Sequence, residues 1–476
     1  VVLLAVSQVL VVFDTTVFTV GLPWIEVRSR LSFEGLTWLL SVYSVCFAAL
    51  PVLAVALGEA FGQRRVLMGG LALSSLAAVA PAVTSDAQVL LTSRAVQGVA
   101  AAVITAGALA LIDSTHPQGP GRDRALSVHF AVVACAPPAV LLPCTMLLDA
   151  SMRGETVFWV QAVAGAVLLL LTPVALTESA PVPGARVRVG RAALGVVPLG
   201  FLAWFADWFG DRSVSPTTVM VVAVAGALVP SSLGLLGRGE GVPALLARLY
   251  RQRAAFGAYT VVALLASCLA GVLFVLTLAL QMLGGLSPMQ VGWVLLSAVA
   301  GVVLGWLVLP ALAARMGLGA AVAGACGVAA VGFVLLSRES AFHFADVLLP
   351  LLLVAFGCGV LALPVGFARS GSGALPQGLN SSRQLGAGLG VSLFVGIVTV
   401  VQKQTSPARG SLQAYNAVVA DGVRDCFELG VALSLTAAAV ALLTLPRQSL
   451  RAAAPEPAAS DGAPAGTAGS PGSSGR

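Results

Sequence analysis

The sequence predicts an all-α membrane protein of fourteen transmembrane helices, and three observations predict it. Hydrophobic residues make up 58% of the 476 residues and charged residues 10%, where a soluble domain carries about 25% charged. The apolar residues gather in runs of about 20, the length a helix needs to cross a hydrocarbon core of about 30 Å. The connections between the runs are mostly short and hold most of the arginines.

The candidate spans are 2–24, 36–57, 66–84, 88–112, 126–148, 156–176, 191–209 and 216–236, then 255–281, 289–313, 318–336, 344–368, 382–402 and 426–446. Positive charge is retained on the cytoplasmic side. With the N-terminus inside, 17 basic residues fall on the cytoplasmic side and 8 on the other, Arg94 lying within a span. An even number of spans places both termini in the cytoplasm of a cell whose inner or plasma membrane holds the protein. The chain opens at Val1 inside an apolar run without a basic leader or cleavage site, so this run is expected to be a true first helix. From Arg447 the chain turns to Pro, Ala, Gly and Ser, a composition that cannot offset ordering entropy, and a disordered tail is expected. The segment 402–425 is expected to be the longest external loop, and the basic segment 237–253 to lie along the anionic leaflet.

Several classes are excluded or made improbable by composition. The formal charge of +6 follows topology and forms no stripe that tracks phosphates, so no nucleic-acid partner is expected. Seven scattered cysteines have no CxxC spacing and read as small apolar fillers, with no metal site. The only lysine, Lys403, follows Gln402, so there is no GxxxxGK[ST] phosphate loop, and HExxH and GxSxG are absent too. An enzyme is not expected, and no cofactor; energy would come from an ion gradient.

An ionisable group near mid-membrane costs about 2.5–3.5 kcal/mol on insertion scales, so the few present point to function. "VVFDTTVFTVGLP" places Asp14 near the middle of the first span, and "LLTSRAVQGVAAA" places Arg94 in the fourth with Gln97 one turn below. An acid and a base in separate apolar helices are expected to face one polar interior. Burial and a neighbouring guanidinium act on a carboxyl in opposite senses, and their balance suits a proton carrier. A fixed ion pair that only ties helices together is the alternative.

The turn "LGEAFGQRRVL" packs Glu59, Gly62, Arg64 and Arg65 into a very short cytoplasmic loop. Glu59 lies at a helix C-terminus, where the macrodipole disfavours an anion. It therefore calls for a cationic or helix-N-terminal partner, or it is a solvated loop charge.

These segments together resemble the major facilitator superfamily, and within it the fourteen-helix drug:proton antiporters. "FDTTVFTVGLP" resembles the first-helix acidic motif through Asp14 and Pro23. "LGEAFGQRR" resembles the cytoplasmic gate motif through Leu57, Gly62, Arg64 and Arg65, with Glu59 where the family has Asp and Val55 where it has Gly. "LLTSRAVQG" matches the fourth-helix motif through Arg94, Gln97 and Gly98. In the second half, "LALQMLGGLSPMQVGWVLL" and "LPQGLNSSRQLGAGLGVSL" bring in Gln281, Asn380, Arg383 and Gln384.

The resemblance implies a six-helix bundle over 1–180, an inserted helix pair and linker over 181–250, a second six-helix bundle over 251–446, and a tail over 447–476. It implies a monomeric carrier that exchanges protons for small amphipathic molecules across lipid, by rocking around a midplane cavity. Asp14 and Arg94 would couple protons; Thr15, Gln97, Gln281, Asn380, Arg383 and Gln384 would line the cavity; Glu59, Gly62, Arg64 and Arg65 would latch the gate. A second, eroded gate turn is expected at "LAARMG", with Arg315 and Gly317.

The fifth helix departs from the family, reading "VVACAPPAVLLP" without the flanking glycines. Pro137 and Pro138 are expected to bend or break it where a cavity forms, or are merely tolerated. Gly301 with Gly305, and Gly386 with Gly390, suit close helix packing. His129, in the fifth span, suits a hydrogen-bonded packing role or a proton path. A facilitator or symporter on the same fold, or a receptor that moves nothing, are the functional alternatives.

Overall fold

The computed structural model describes residues 2–20, 50–116, 119–151, 155–178, 253–339, 342–362 and 412–445, with single positions between 25 and 47 and between 379 and 398. The spans 191–209 and 216–236, the linker, the tail and Asn380 lie outside the described residues. The described elements are α1 (Val2–Val20), α2 (Pro51–Phe61), α3 (Gln63–Val83), α4 (Ala87–Thr115), α5 (Pro120–Ser151) and α6 (Glu155–Ala175), then α7 (Arg253–Met282), α8 (Pro288–Met316), α9 (Leu318–Arg338), α10 (Leu348–Cys358) and α11 (Leu412–Thr444). Every regular element among them is helical, and seven helices are long and apolar enough to cross a membrane. Leu39, Val42, Tyr43, Cys46 and Phe47 are also helical and lie within the predicted second span.

Local signals place the helix ends. Asp86 caps α4 by accepting from the amides of Gln88 and Val89, and Ser287 with Gln290 forms a capping box ahead of α8. Pro51 opens α2 at its first turn, where its missing N–H costs nothing. Gly62 (φ 97°) alone joins α2 to α3, and Gly317 (φ 88°) alone joins α8 to α9. Both turns need a left-handed backbone at one residue, which glycine adopts without strain. The same one-residue turn thus recurs in the two halves of the sequence.

α1 packs on α4, α5 and α6, and α3 on α4 and α6; in the second half α8 and α9 each pack on α10, α9 on α11, and α7 on α11. α5 crosses between the groups by packing on α8. α7 is the most deeply enclosed, with Val261–Leu269 and Gly271–Thr277 buried on every face. A helix buried all round in a membrane bundle stands at its centre. α6 is two-sided: Trp159, Val163, Val167, Leu170 and Val174 are exposed, whereas Phe158, Gln161, Gly165, Leu168 and Thr172 are buried. Its apolar face is the one that suits lipid.

In lipid there is little hydrophobic gain in bringing two helices together, so close contact depends on small residues. Gly301 and Gly305 of α8 lie against the carbonyls of Leu352 and Phe356, and Gly386 and Gly390 against those of Ala263 and Ser267 on α7. All four sit where a side chain would collide with a neighbouring backbone, as the spacing predicts.

α5 is one uninterrupted helix of 32 residues through Pro137 and Pro138, so of the readings left open for these prolines an outright break is not found; its bundle neighbours stabilise a helix that prolines alone would break. Two expectations need correction. The second span is helical from Pro51 to Phe61 as a separate element, Leu50 preceding it with ψ −4° as the cap. α11 begins at Leu412, so the expected external loop is helical over its last part. Hydropathy misses that turn of chain because it is amphipathic: Val419, Val423 and Phe427 are buried at four-residue spacing, while Asp421, Arg424, Asp425 and Glu428 are exposed.

Replacing Gly305 by Val is expected to destabilise the folded protein by about 1–3 kcal/mol through overpacking. Gly324, with open space where its side chain would be, is the control. Thermal unfolding followed by size-exclusion chromatography checks this; equal effects at the two positions would refute the packing account.

Candidate functional site

The first-helix acid and the fourth-helix base meet. Arg94 Nη1 lies 3.2 Å from Asp14 Oδ2, with both side chains at most 3% exposed. Arg94 Nη1 also donates to Gln97 Oε1 at 3.0 Å, and its Nε donates to the carbonyl of Leu39 at 3.3 Å. The guanidinium is sandwiched by rings: its central carbon is 3.9 Å from the Phe18 centroid and 4.1 Å from that of Tyr43. Flat faces of π-electron density stabilise a desolvated cation. Three elements thus hold Arg94: α1, α4 and the second span.

Asp14 has another partner that the search for charge overlooks. Gln161 Nε2 of α6 donates to Asp14 Oδ1 at 2.7 Å. Gln161 carries no charge, so a scan for ionisable groups passes over it; its signal is a lone amide on the buried face of an otherwise apolar helix. Thr15 Oγ1 donates to the Val11 carbonyl at 3.2 Å and lies 3.5 Å from the Tyr43 hydroxyl, which itself points to the Val11 carbonyl at 3.4 Å. Gln97 sits one turn from Arg94, as the sequence places it. A second buried polar pair joins the same two helices, Thr105 Oγ1 donating to Gln8 Oε1 at 3.1 Å.

Of the remaining predicted cavity residues, Gln281, Arg383 and Gln384 are described. No hydrogen bond or ion pair joins Gln281, Arg383 or Gln384 to Asp14, Arg94 or Gln97 among the described residues. Gln281 is near the end of α7, and Arg383 is buried, close enough to His129 of α5 to act on it electrostatically. His129 is also buried; its Nδ1 has no hydrogen-bond partner among the described residues, and its ring meets Phe130 edge-on. The hydrogen bond expected for this histidine is therefore not made at that nitrogen.

The turn between α2 and α3 assembles around a different acid. Arg64 Nε lies 3.3 Å and Arg65 Nε 3.6 Å from Glu178 Oε2, just beyond α6. Arg64 Nη1 also donates to the carbonyl of Leu176 at 3.0 Å and points to that of Pro173 at 3.4 Å. A cation here meets the exposed carbonyls of a helix C-terminus, a favourable end for positive charge. Glu59 is exposed and takes no part in this cluster. Among the described residues the acid beside Arg64 and Arg65 is thus Glu178 and not Glu59, and it lies too far along the chain for a local motif to reveal.

A bundle of long apolar helices with small-residue contacts and a buried ion pair is the build of a polytopic membrane protein. The chain belongs to the Major Facilitator Superfamily, whose profile matches residues 4–398. It is 28% identical to the cephamycin export protein CmcT of Amycolatopsis lactamdurans, covering 94% of this chain and 92% of that protein. It is 28% identical to the methylenomycin A resistance protein of Bacillus subtilis, over 82% of this chain and 85% of that one. Identity to the puromycin resistance protein pur8 of Streptomyces alboniger is 27%, over 89% and 88%. Among solved structures, a bacterial homologue of the human lysosomal transporter Spinster, inward-facing and unoccupied, aligns at TM-score 0.63 and 15% identity, covering 93% of this chain and 95% of that one. That likeness is one of fold alone.

Arg64→Ala and Glu178→Ala are expected to be non-additive, with a coupling of about 1 kcal/mol in a double-mutant cycle on thermal stability. Glu59→Ala is expected to change stability by less than about 0.5 kcal/mol. Arg94→Leu, which leaves Asp14 buried beside no cation, is expected to cost about 3–5 kcal/mol; wild-type stability of that variant would contradict the geometry.

Proposed function

We propose that this protein exports small amphipathic molecules in exchange for protons, by alternating access across the cell membrane. The observation that carries the proposal is the contact of Asp14 with Arg94 and Gln161 inside an otherwise apolar bundle. A carboxylate held there is costly unless its charge is used. The cephamycin export relative supports the direction, and it and the two antibiotic-resistance relatives support the substrate class.

In this mechanism, ionised Asp14 holds Arg94 and ties α1 to α4. A proton arriving from outside neutralises the carboxyl, Arg94 loses its counter-charge, and the tie between the helices weakens. Arg94 then keeps Gln97 and the Leu39 carbonyl, so the cation is never stripped of all its acceptors. Release of the proton to the cytoplasm restores the pair. Thr15, Gln97, Gln281, Asn380, Arg383 and Gln384 contribute to the substrate path, and Gly62, Arg64 and Arg65, with Glu178, close the cytoplasmic end.

Two bundles over 1–180 and 251–446, an inserted pair between them, cytoplasmic termini and a monomeric unit complete the proposal. The proton gradient is the only energy source it requires. A second reading, a facilitator or symporter on the same fold, is favoured by the fifth helix, which has Ala136 beside Pro137 where drug:proton antiporters have glycine.

Everted membrane vesicles test both. Adding puromycin, cephamycin or methylenomycin A to vesicles acidified by respiration is expected to release protons for at least one compound, and Asp14→Asn is expected to abolish that release. Transport without proton movement would establish facilitation. Undiminished coupled efflux by Asp14→Asn would remove Asp14 from the mechanism.

A further inference from the structure

We propose that Gln161 is the positioning residue that lets Asp14 exist in both charge states within the bundle, offering its Nε2 to the carboxylate and its Oε1 to the carboxylic acid. The inference rests on the reading of Asp14 as the proton carrier. A carboxylate only accepts hydrogen bonds, whereas a carboxylic acid must also donate one. A site that serves a single form leaves a buried group unsatisfied in the other, at a cost of about 1–3 kcal/mol.

The side chains bonded to Asp14, and Gln97 bonded to its partner Arg94, differ in what they can offer. Arg94 has donors and no acceptor. Gln97 turns its oxygen to Arg94 Nη1, so that oxygen is already engaged. Gln161 donates through Nε2 at 2.7 Å, and its Oε1 is buried without a partner. That unpartnered oxygen is on the same planar amide as the engaged nitrogen. A turn of about 180° about the last side-chain torsion, which is broad and two-fold, exchanges them. No backbone needs to move.

The proton step balances without any bond to Gln161. A proton from the outer aqueous phase adds to Asp14 Oδ1, the new O–H donates to Gln161 Oε1, and the amide nitrogen swings aside. When the proton leaves for the cytoplasm, Nε2 returns to the carboxylate. The charged and titratable groups around Asp14 are Arg94 of α4 and Tyr43 of the second span. α5 and α6, which also pack on α1, bring no charged group against Asp14 among the described residues. Gln161 is therefore the group on this side that can answer a change in charge. Its backbone is held by packing: Phe158, one turn earlier, meets Phe18 at a centroid distance of 5.1 Å.

Infrared difference titration of the full-length chain in phosphatidylcholine nanodiscs tests this without knowing the substrate. The protonated Asp14 carbonyl band is identified by its loss in Asp14→Asn. Gln161→Leu is expected to move that band to higher wavenumber, because the acid loses its acceptor. Gln161→Glu, which keeps the side-chain size, is expected to move the titration midpoint upward by about one pH unit or more, because a second carboxylate opposes ionisation. The double variant with Asp14→Asn subtracts the new glutamate's own signal, and the Glu variant carries the test where the Leu variant does not fold. An unmoved midpoint in Gln161→Glu, or an unmoved band in a folded Gln161→Leu, overturns the inference. If Asp14→Asn also abolishes proton-coupled efflux, the inference alone falls and Asp14 stands as carrier. If no Asp14 band appears between about pH 4 and about pH 9, a span wide enough for most shifted carboxyls, both fall.

Discussion

A guanidinium and a carboxylate sealed among apolar helices are the constraint on which the N-terminal half depends. Neither charge can reach water in this conformation, so each must be satisfied by what the bundle brings to it. Arg94 takes a carboxylate, an amide oxygen, a backbone carbonyl and two aromatic faces; Asp14 takes a guanidinium and an amide. These partners come from α1, α4, α6 and the second span. The placement of those elements is therefore fixed by electrostatics as much as by packing.

The rest of the bundle follows from the solvent. With little hydrophobic force to draw helices together in lipid, the chain relies on glycines that let backbones touch, and it does so on α8 against α10 and on α7 against the helical residues after 379. The recurrence of a one-glycine turn at Gly62 and Gly317 gives the two halves the same hinge geometry. Their chemistry differs. Arg64 and Arg65 share Glu178 after the first turn, whereas in the second Arg315 is exposed and Ala314 stands beside it. Among the described residues, charged contacts at the one-glycine turn are thus concentrated in the first half, between α3 and the end of α6, the helix whose Gln161 meets Asp14. Asp14 touches α4 and α6 directly, through Arg94 and Gln161, and Glu178 lies just beyond the end of α6.

Much of this was legible before any fold was seen. Hydropathy located the described long helices to within a few residues, except at the starts of α5 and α11, where charged residues between the apolar ones dilute a window average. The Asp14–Arg94 contact was legible because two isolated charges in apolar spans have few affordable destinations. Gln161 was not, for a neutral amide raises no alarm in a composition scan. Glu178 was hidden for another reason: the local pattern offered Glu59 as the acid, and only the packing of α3 on α6 brings a carboxylate distant in sequence to Arg64.

By itself, then, the sequence determined that the chain crosses a membrane repeatedly as helices, which charges are buried, and which glycines mark close contact. These follow from rules local along the chain: the thickness of the bilayer, the cost of a charge in hydrocarbon, and the period of a helix. The tertiary structure decided which neutral side chain stands beside the buried acid, which carboxylate engages Arg64 and Arg65, and that the helix of α5 runs on through its prolines. Those outcomes depend on rotations of one helix against another, and such rotations are set by the summed contacts of many side chains, which no single stretch of sequence contains.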